Sequence, residues 1–147
     1  MNEEYAARMT RLEGTCHCGN LAVVLETDKD PRELPLRACG CSFCRRHGTR
    51  TTSDPAGRAH IGARDAAKVS RYVFGLRTAE MLVCASCGVY CAAVLREGGQ
   101  AWAVLNANLF LDPAFDRPAQ PMSYDAEDAQ QRIARRKRLW TPVVRSV

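Results

Sequence analysis

Aromatic residues make up only 7% of the chain. No apolar run approaches the roughly 20 residues needed to cross a bilayer. The first shortage argues against a large aromatic core as the main source of stability, and the second sets aside a helical membrane protein. The opening Met1-Asn2-Glu3-Glu4-Tyr5 is acidic and polar. It lacks the basic-then-apolar order of a secretory signal, so no export precursor is recognisable and a cytoplasmic location is expected. No internal repeat or low-complexity segment occurs. What remains is an ordinary globular composition, 46% hydrophobic and 25% charged over 147 residues, enough for one domain with a sizeable core. The outlier is cysteine, with eight residues.

Their spacing runs Cys16-x-Cys18, then Cys39-x-Cys41-x-x-Cys44, then Cys84-x-x-Cys87, with Cys91 four residues on. A disulfide framework and metal ligation compete for such a pattern. Disulfide-dense chains are short, secreted and poor in core-forming residues, and a bridge within C-x-C strains the bond's geometry. Tight clusters separated by long stretches favour metal, with zinc the best match to soft thiolates in tetrahedral array. Four sulfurs around one zinc lie roughly 4 Å apart. Cys16 and Cys18, if extended, would point to one face. Cys84-Ala85-Ser86-Cys87-Gly88 would make a tight turn, with Gly88 supplying the positive φ. These two half-sites add up to a closed, structural site.

The middle cluster offers three sulfurs, Cys39, Cys41 and Cys44, and no obvious fourth. Three protein ligands plus an open position is the catalytic zinc pattern. The alternative is a fourth ligand from His47, His60 or Cys91. Cys91 lies in the apolar run Val89 to Leu95 and reads as a small core hydrophobe.

Strands are predicted at Leu21 to Leu25, Val69 to Phe74, Glu80 to Val83, Val89 to Leu95 and Ala101 to Leu105, the last two joined as a hairpin by Gly98-Gly99. Short strands with such turns indicate a mainly antiparallel β fold. Asp125 to Leu139, opened by Asp125 and Asp128, reads as a capped helix whose basic far end suits the helix dipole. The expected organisation is a zinc-binding β domain over residues 1–122 and a helical, basic tail over 123–147.

The net charge of +5 is local. Arg132, Arg135, Arg136, Lys137, Arg138 and Arg145 sit in the last sixteen residues with no acid, and setting them aside leaves 15 basic against 16 acidic residues. A basic run can contact nucleic acid, yet a solvated helix end is the commoner meaning. No base-stacking platform is visible, so nucleic acid and membrane are not the expected partners.

Gly14-Thr15-Cys16-His17-Cys18-Gly19, Cys39-Gly40-Cys41-Ser42-Phe43-Cys44-Arg45-Arg46-His47-Gly48, Tyr72-Val73-Phe74-Gly75 and Cys84-Ala85-Ser86-Cys87-Gly88-Val89-Tyr90 occur in this order. Over about residues 10–110 they resemble the glutathione-dependent formaldehyde-activating enzyme family, to which centromere protein V is related. The resemblance implies an Mss4-like fold, a β-tent of several coiled antiparallel sheets. It implies a structural zinc on Cys16, Cys18, Cys84 and Cys87 and a second, active-site zinc on Cys39, Cys41 and Cys44. The implied activity is carbon–sulfur lyase chemistry run in reverse, joining glutathione and formaldehyde into S-hydroxymethylglutathione.

A zinc held by three thiolates is a weak Lewis acid but readily takes a further thiol as thiolate. The expected reactants are therefore a small thiol such as glutathione and a small aldehyde. Arg45 and Arg46, directly after Cys44, are candidates to grip the thiol's carboxylates. His47 is a candidate proton shuttle, and His17 is expected to support its neighbours structurally. The competing expectation is a non-enzymatic zinc module that binds a protein or nucleic acid; a fourth protein ligand on the middle cluster would favour it.

Overall fold

The computed structural model describes residues 3–147. Strands β1 (Thr10–Thr15), β2 (Leu21–Thr27) and β5 (Arg58–Ala63) pair antiparallel at one end of the sheet. At its other end lie β4 (Thr51–Thr52), β3 (Arg37–Cys39) and β10 (Gln120–Met122). Strands β6 (Val69–Tyr72), β7 (Glu80–Cys84), β8 (Tyr90–Glu97) and β9 (Gln100–Asn106) make an antiparallel wing. The last strand, β11 (Thr141–Ser146), joins the two regions by pairing with both β5 and β9. The fold is β-rich, as expected, and mostly antiparallel; β3 with β10 and β5 with β11 are parallel exceptions. Helices α1 (Glu3–Arg8), α2 (Ser42–His47) and α3 (Ala129–Leu139) are short.

The predicted hairpin forms between β8 and β9, with Glu97 opposite Gln100. Gly98 and Gly99 have φ of 60° and 78°, the positive values that a two-residue turn needs to match strand twist. Every residue of β8 from Tyr90 to Leu95 is buried, which accounts for its unbroken apolar run: both faces of this part of the sheet are covered. One face packs Leu82, Ala92, Val94 and Leu105 against Leu12, Val23, Leu25 and Ile61. The other packs Met81, Tyr90, Ala93, Leu95 and Val104 against Trp140, with Phe43 of α2 and Ile133 and Leu139 of α3 at its margin.

The C-terminal segment departs from the expected tail over 123–147. Its helix starts at Ala129, four residues after the predicted Asp125, because Asp128 is the cap. The Asp128 carboxylate accepts the Gln131 N–H at 2.8 Å, and the Gln131 side chain accepts the Asp128 N–H at 3.0 Å. That reciprocal pair satisfies two otherwise orphaned donors. Beyond α3 the chain re-enters the sheet as β11 instead of trailing away, and Trp140 is 6% exposed. Residues 123–147 are thus continuous with the core of the β domain.

Candidate metal centre

Two turns meet at the first cysteine cluster. Cys16 and Cys18 lie in the β1–β2 turn, not on an extended strand as predicted, and Cys84 and Cys87 flank the β7–β8 turn. The Cys16 and Cys18 sulfurs are 3.7 Å apart, and those of Cys18 and Cys84 are 3.6 Å apart. Sulfurs placed about 2.3 Å from one ion in a tetrahedron stand ~3.8 Å apart, so the spacing suits a shared ion. All four ligand atoms lie within 4.8 Å of one another. Backbone N–H groups point at the sulfurs: Leu21 to Cys16 at 3.2 Å and Cys87 to Cys84 at 3.4 Å. Gly88, at φ 80°, closes the second turn by donating its N–H to the Cys84 carbonyl at 2.8 Å. The environment favours thiolate at Cys87: burial opposes it, but the N–H groups of Cys18 and Val89 prevail and bring its pKa down to about 6. Cys91 is fully buried near this cluster but outside it, its thiol directed at the Val89 carbonyl at 3.5 Å. Burial, and then the neighbouring sulfurs, push its pKa up; it is a core residue.

The second cluster is assembled from three local features. Cys39 ends β3, Cys41 caps α2, and Cys44 lies in the first turn of that helix, its N–H donated to the Cys41 sulfur at 3.3 Å. The three sulfurs lie within 4.8 Å of one another, and among the described residues no fourth His, Cys, Asp or Glu ligand atom joins them. The alternatives are occupied elsewhere. His60 contacts Glu26 at 2.5 Å across β2 and β5, His47 packs on the Phe43 ring at 4.4 Å, and Cys91 is in the core. Cys39 is held toward thiolate, its pKa drawn down to about 5 by the Cys44 thiol and the Cys41 N–H against burial, while Cys44 is pushed up as the donor to Cys39. The Thr49 hydroxyl is buried with no hydrogen-bond partner; it favours ionised Cys44, the form a metal ligand takes. Both clusters could hold a metal ion.

Beside the second cluster lies a cavity of about 100 Å³. Its floor is the outer face of the wing, with Met81, Ala93 and Val104, and its walls include Phe74, Tyr90 and Trp140. Four arginines complete it: Arg37, two residues before Cys39 on β3, and Arg132, Arg135 and Arg136 of α3. Residues three and four apart share a helix face, so the basic run predicted to be a solvated helix end turns three arginines inward. Arg135 grips Glu127 with two hydrogen bonds, at 2.7 and 3.0 Å, and stacks over Tyr124. Arg132 reaches the Tyr124 carbonyl at 2.9 Å and lies 3.5 Å from Glu127. Arg136 donates to the Thr78 hydroxyl at 2.7 Å and packs on Trp140.

Residues singled out by adjacency to the cysteines lie elsewhere. Arg45 and Arg46 are exposed on α2, and Arg46 turns back to the Ser42 carbonyl at 2.9 Å. Arg46, His47 and His17 line a shallower groove with Asn106 and Asn108. Tyr90 lies between this groove and the cavity, and its phenol is kept protonated by burial and by the Cys44 sulfur. Sequence reasoning missed Arg37, Tyr90 and the three inward arginines as site residues. The signals were the Arg37-x-Cys39 spacing on one strand face and the 132, 135, 136 spacing on one helix face.

No protein-family model and no curated protein matches the chain. Among solved structures it resembles a Rhodobacter sphaeroides protein determined as a structural genomics target. The two share 27% identity over 76% of this chain and 100% of that one, with a TM-score of 0.56. This likeness bears on the fold.

Proposed function

We propose that the chain is a zinc-dependent enzyme that adds a small thiol, such as glutathione, to a small aldehyde, a carbon–sulfur lyase reaction of the S-(hydroxymethyl)glutathione synthase type. The observation that carries this reading is the contrast between the clusters: four sulfurs enclose one point, whereas three sulfurs border a cavity with no fourth ligand among the described residues. The donor sets fit zinc: all are thiols, and backbone N–H groups are directed at them in both clusters. A zinc ion on Cys39, Cys41 and Cys44 would supply an open coordination position that takes a thiol from solution in its deprotonated form.

In the overall step the thiol sulfur bonds to the aldehyde carbon, the carbonyl π pair moves onto oxygen, and that oxygen gains the proton the thiol gave up. Tyr90 is a neutral O–H donor lining the cavity beside Cys44, suited to hydrogen-bond the developing oxyanion. Met81, Phe74 and Trp140 exclude water from the reacting atoms. His47 faces the adjoining groove and is assigned no step.

Elemental analysis of the wild type and Cys41→Ser tests the division of labour. Near two metal equivalents should fall to near one with the fold retained. Millimolar glutathione should raise the melting temperature of the wild type, since a ligand of the native state stabilises it. The metal-loaded wild type should also accelerate exchange between formaldehyde and its glutathione adduct, and Tyr90→Phe should slow that exchange without loss of metal. Unfolding of Cys41→Ser, or no thermal response to any small thiol, would defeat the reading.

A further inference from the structure

Asp125, on the cavity lining, and Glu127, paired with two of its arginines, do not match its four arginines. Glu127 is engaged by Arg135 and Arg132, and Asp125 is at the exposed rim. Among the described residues, Arg37 and Arg136 pair with no carboxylate; their only side-chain hydrogen bonds go to the hydroxyls of Ser53 and Thr78. The Nε of Arg136 is buried and has no hydrogen-bond partner at all. A half-buried guanidinium without a carboxylate partner is costly, and so is a buried donor left unused. Both costs vanish if an anion enters the cavity from outside.

We propose that Arg37 and Arg136 form an anion subsite for a carboxylate on the same molecule whose thiol meets Cys39, Cys41 and Cys44. The inference rests on the function proposed above and narrows its substrate to a thiol that carries a carboxylate a few bonds away. Size and polarity support this. An apolar cavity of about 150 Å³ accommodates benzene, and this one measures about 100 Å³, so the enclosed part of the ligand has only a few heavy atoms. Trp140 and Phe74 beside the arginines suit a short carbon chain between the two functional groups. A short mercapto-acid has this spacing, whereas glutathione places its glycine carboxylate one peptide unit farther from the sulfur. A cationic thiol such as cysteamine is excluded by the arginines.

The test uses the metal-loaded protein and isothermal titration with four probes: 3-mercaptopropionate, 2-mercaptoethanol, propionate and glutathione. The short acid should bind roughly 10- to 100-fold more tightly than the neutral thiol, as charge-assisted hydrogen bonds imply. Arg37→Gln should erase most of that preference. Arg136→Lys, which keeps the charge but not the planar fork, should reduce it with little change in melting temperature or metal content. Equal affinity for the two small thiols, or a preference untouched in both variants, would overturn the subsite while leaving the open-metal reading intact. Arginine-dependent binding of propionate with no response to either small thiol would keep the subsite and defeat the proposed function. Glutathione matching the short acid would assign the carboxylate to a peptide end; weaker binding would assign it to a small acid, and either result upholds the subsite.

Discussion

Asp54 is a carboxylate whose side chain has no exposed surface. Thr27 and Lys29 each donate to it at 2.6 Å, and the Ala56 N–H donates at 3.0 Å. Burial works to neutralise it, but Lys29, Thr27 and Ala56 outweigh burial, so its pKa lies below the ordinary 3.8. A carboxylate whose pKa is depressed by folding contributes stability above its unfolded value, and that contribution is lost as pH falls through the folded value. The wild type should therefore lose stability as acid is taken below pH ~4. Asp54→Asn should flatten that limb and cost about 1–3 kcal/mol at neutral pH, as read by urea denaturation at several pH values. At the same scale, adjacency in the sequence and adjacency to the cavity differ. Arg45 and Arg46 follow Cys44 in sequence yet point outward, because α2 turns them away; Arg136, ninety-two residues from Cys44, faces its cavity.

Helix α3 acts as the cover of the cavity, and its hold on the sheet comes mainly from Ile133, Leu139 and Trp140. Trp140→Ala should lower stability by about 3–5 kcal/mol, the usual cost of deleting a large buried ring. It should also remove the surface on which Arg136 packs; chemical denaturation measures the first effect and the titration preference for 3-mercaptopropionate the second. The elements that were legible in the sequence were those with strong local patterns: β2, β6, β7, the β8–β9 hairpin and α3 all lie close to their predicted spans. Those that escaped have little local signal. In β5, Arg58–Ala63, only Ala59 and Ile61 are buried, and small side chains give weak alternation. In β11 a proline and two charged or polar ends surround two valines, and parallel pairing with β5 depends on a strand more than eighty residues away. The cysteine clusters were legible because ligand spacing is local. The arginine lining was not, because it joins a three-residue strand to a helix through tertiary packing alone.

At the scale of the molecule, β9 is the hub. It pairs with β8 along its length and also with β4 and β11. Deleting residues after Gln131 would remove most of α3 and all of β11, leaving β5 and β9 without the strand that joins them and uncovering Met81, Ala93 and Val104. The truncated protein should lack a cooperative thermal transition and bind a hydrophobic dye, whereas a merely appended tail could be removed without either effect. No helix among the described residues is long and apolar enough to cross a membrane.

The caged cysteine cluster also has a consequence for how the chain is made. Its first pair, Cys16 and Cys18, leaves the ribosome well ahead of Cys84, sixty-six residues after Cys18. At about 5–20 residues per second, that interval lasts roughly 3–13 seconds. For that time the nascent chain carries half a clasp, two thiols open to oxidants and to competing ions. With a metal ion as the ligand of this cluster, the yield in a cell should track the supply of that ion during synthesis as closely as it tracks the stability of the finished protein.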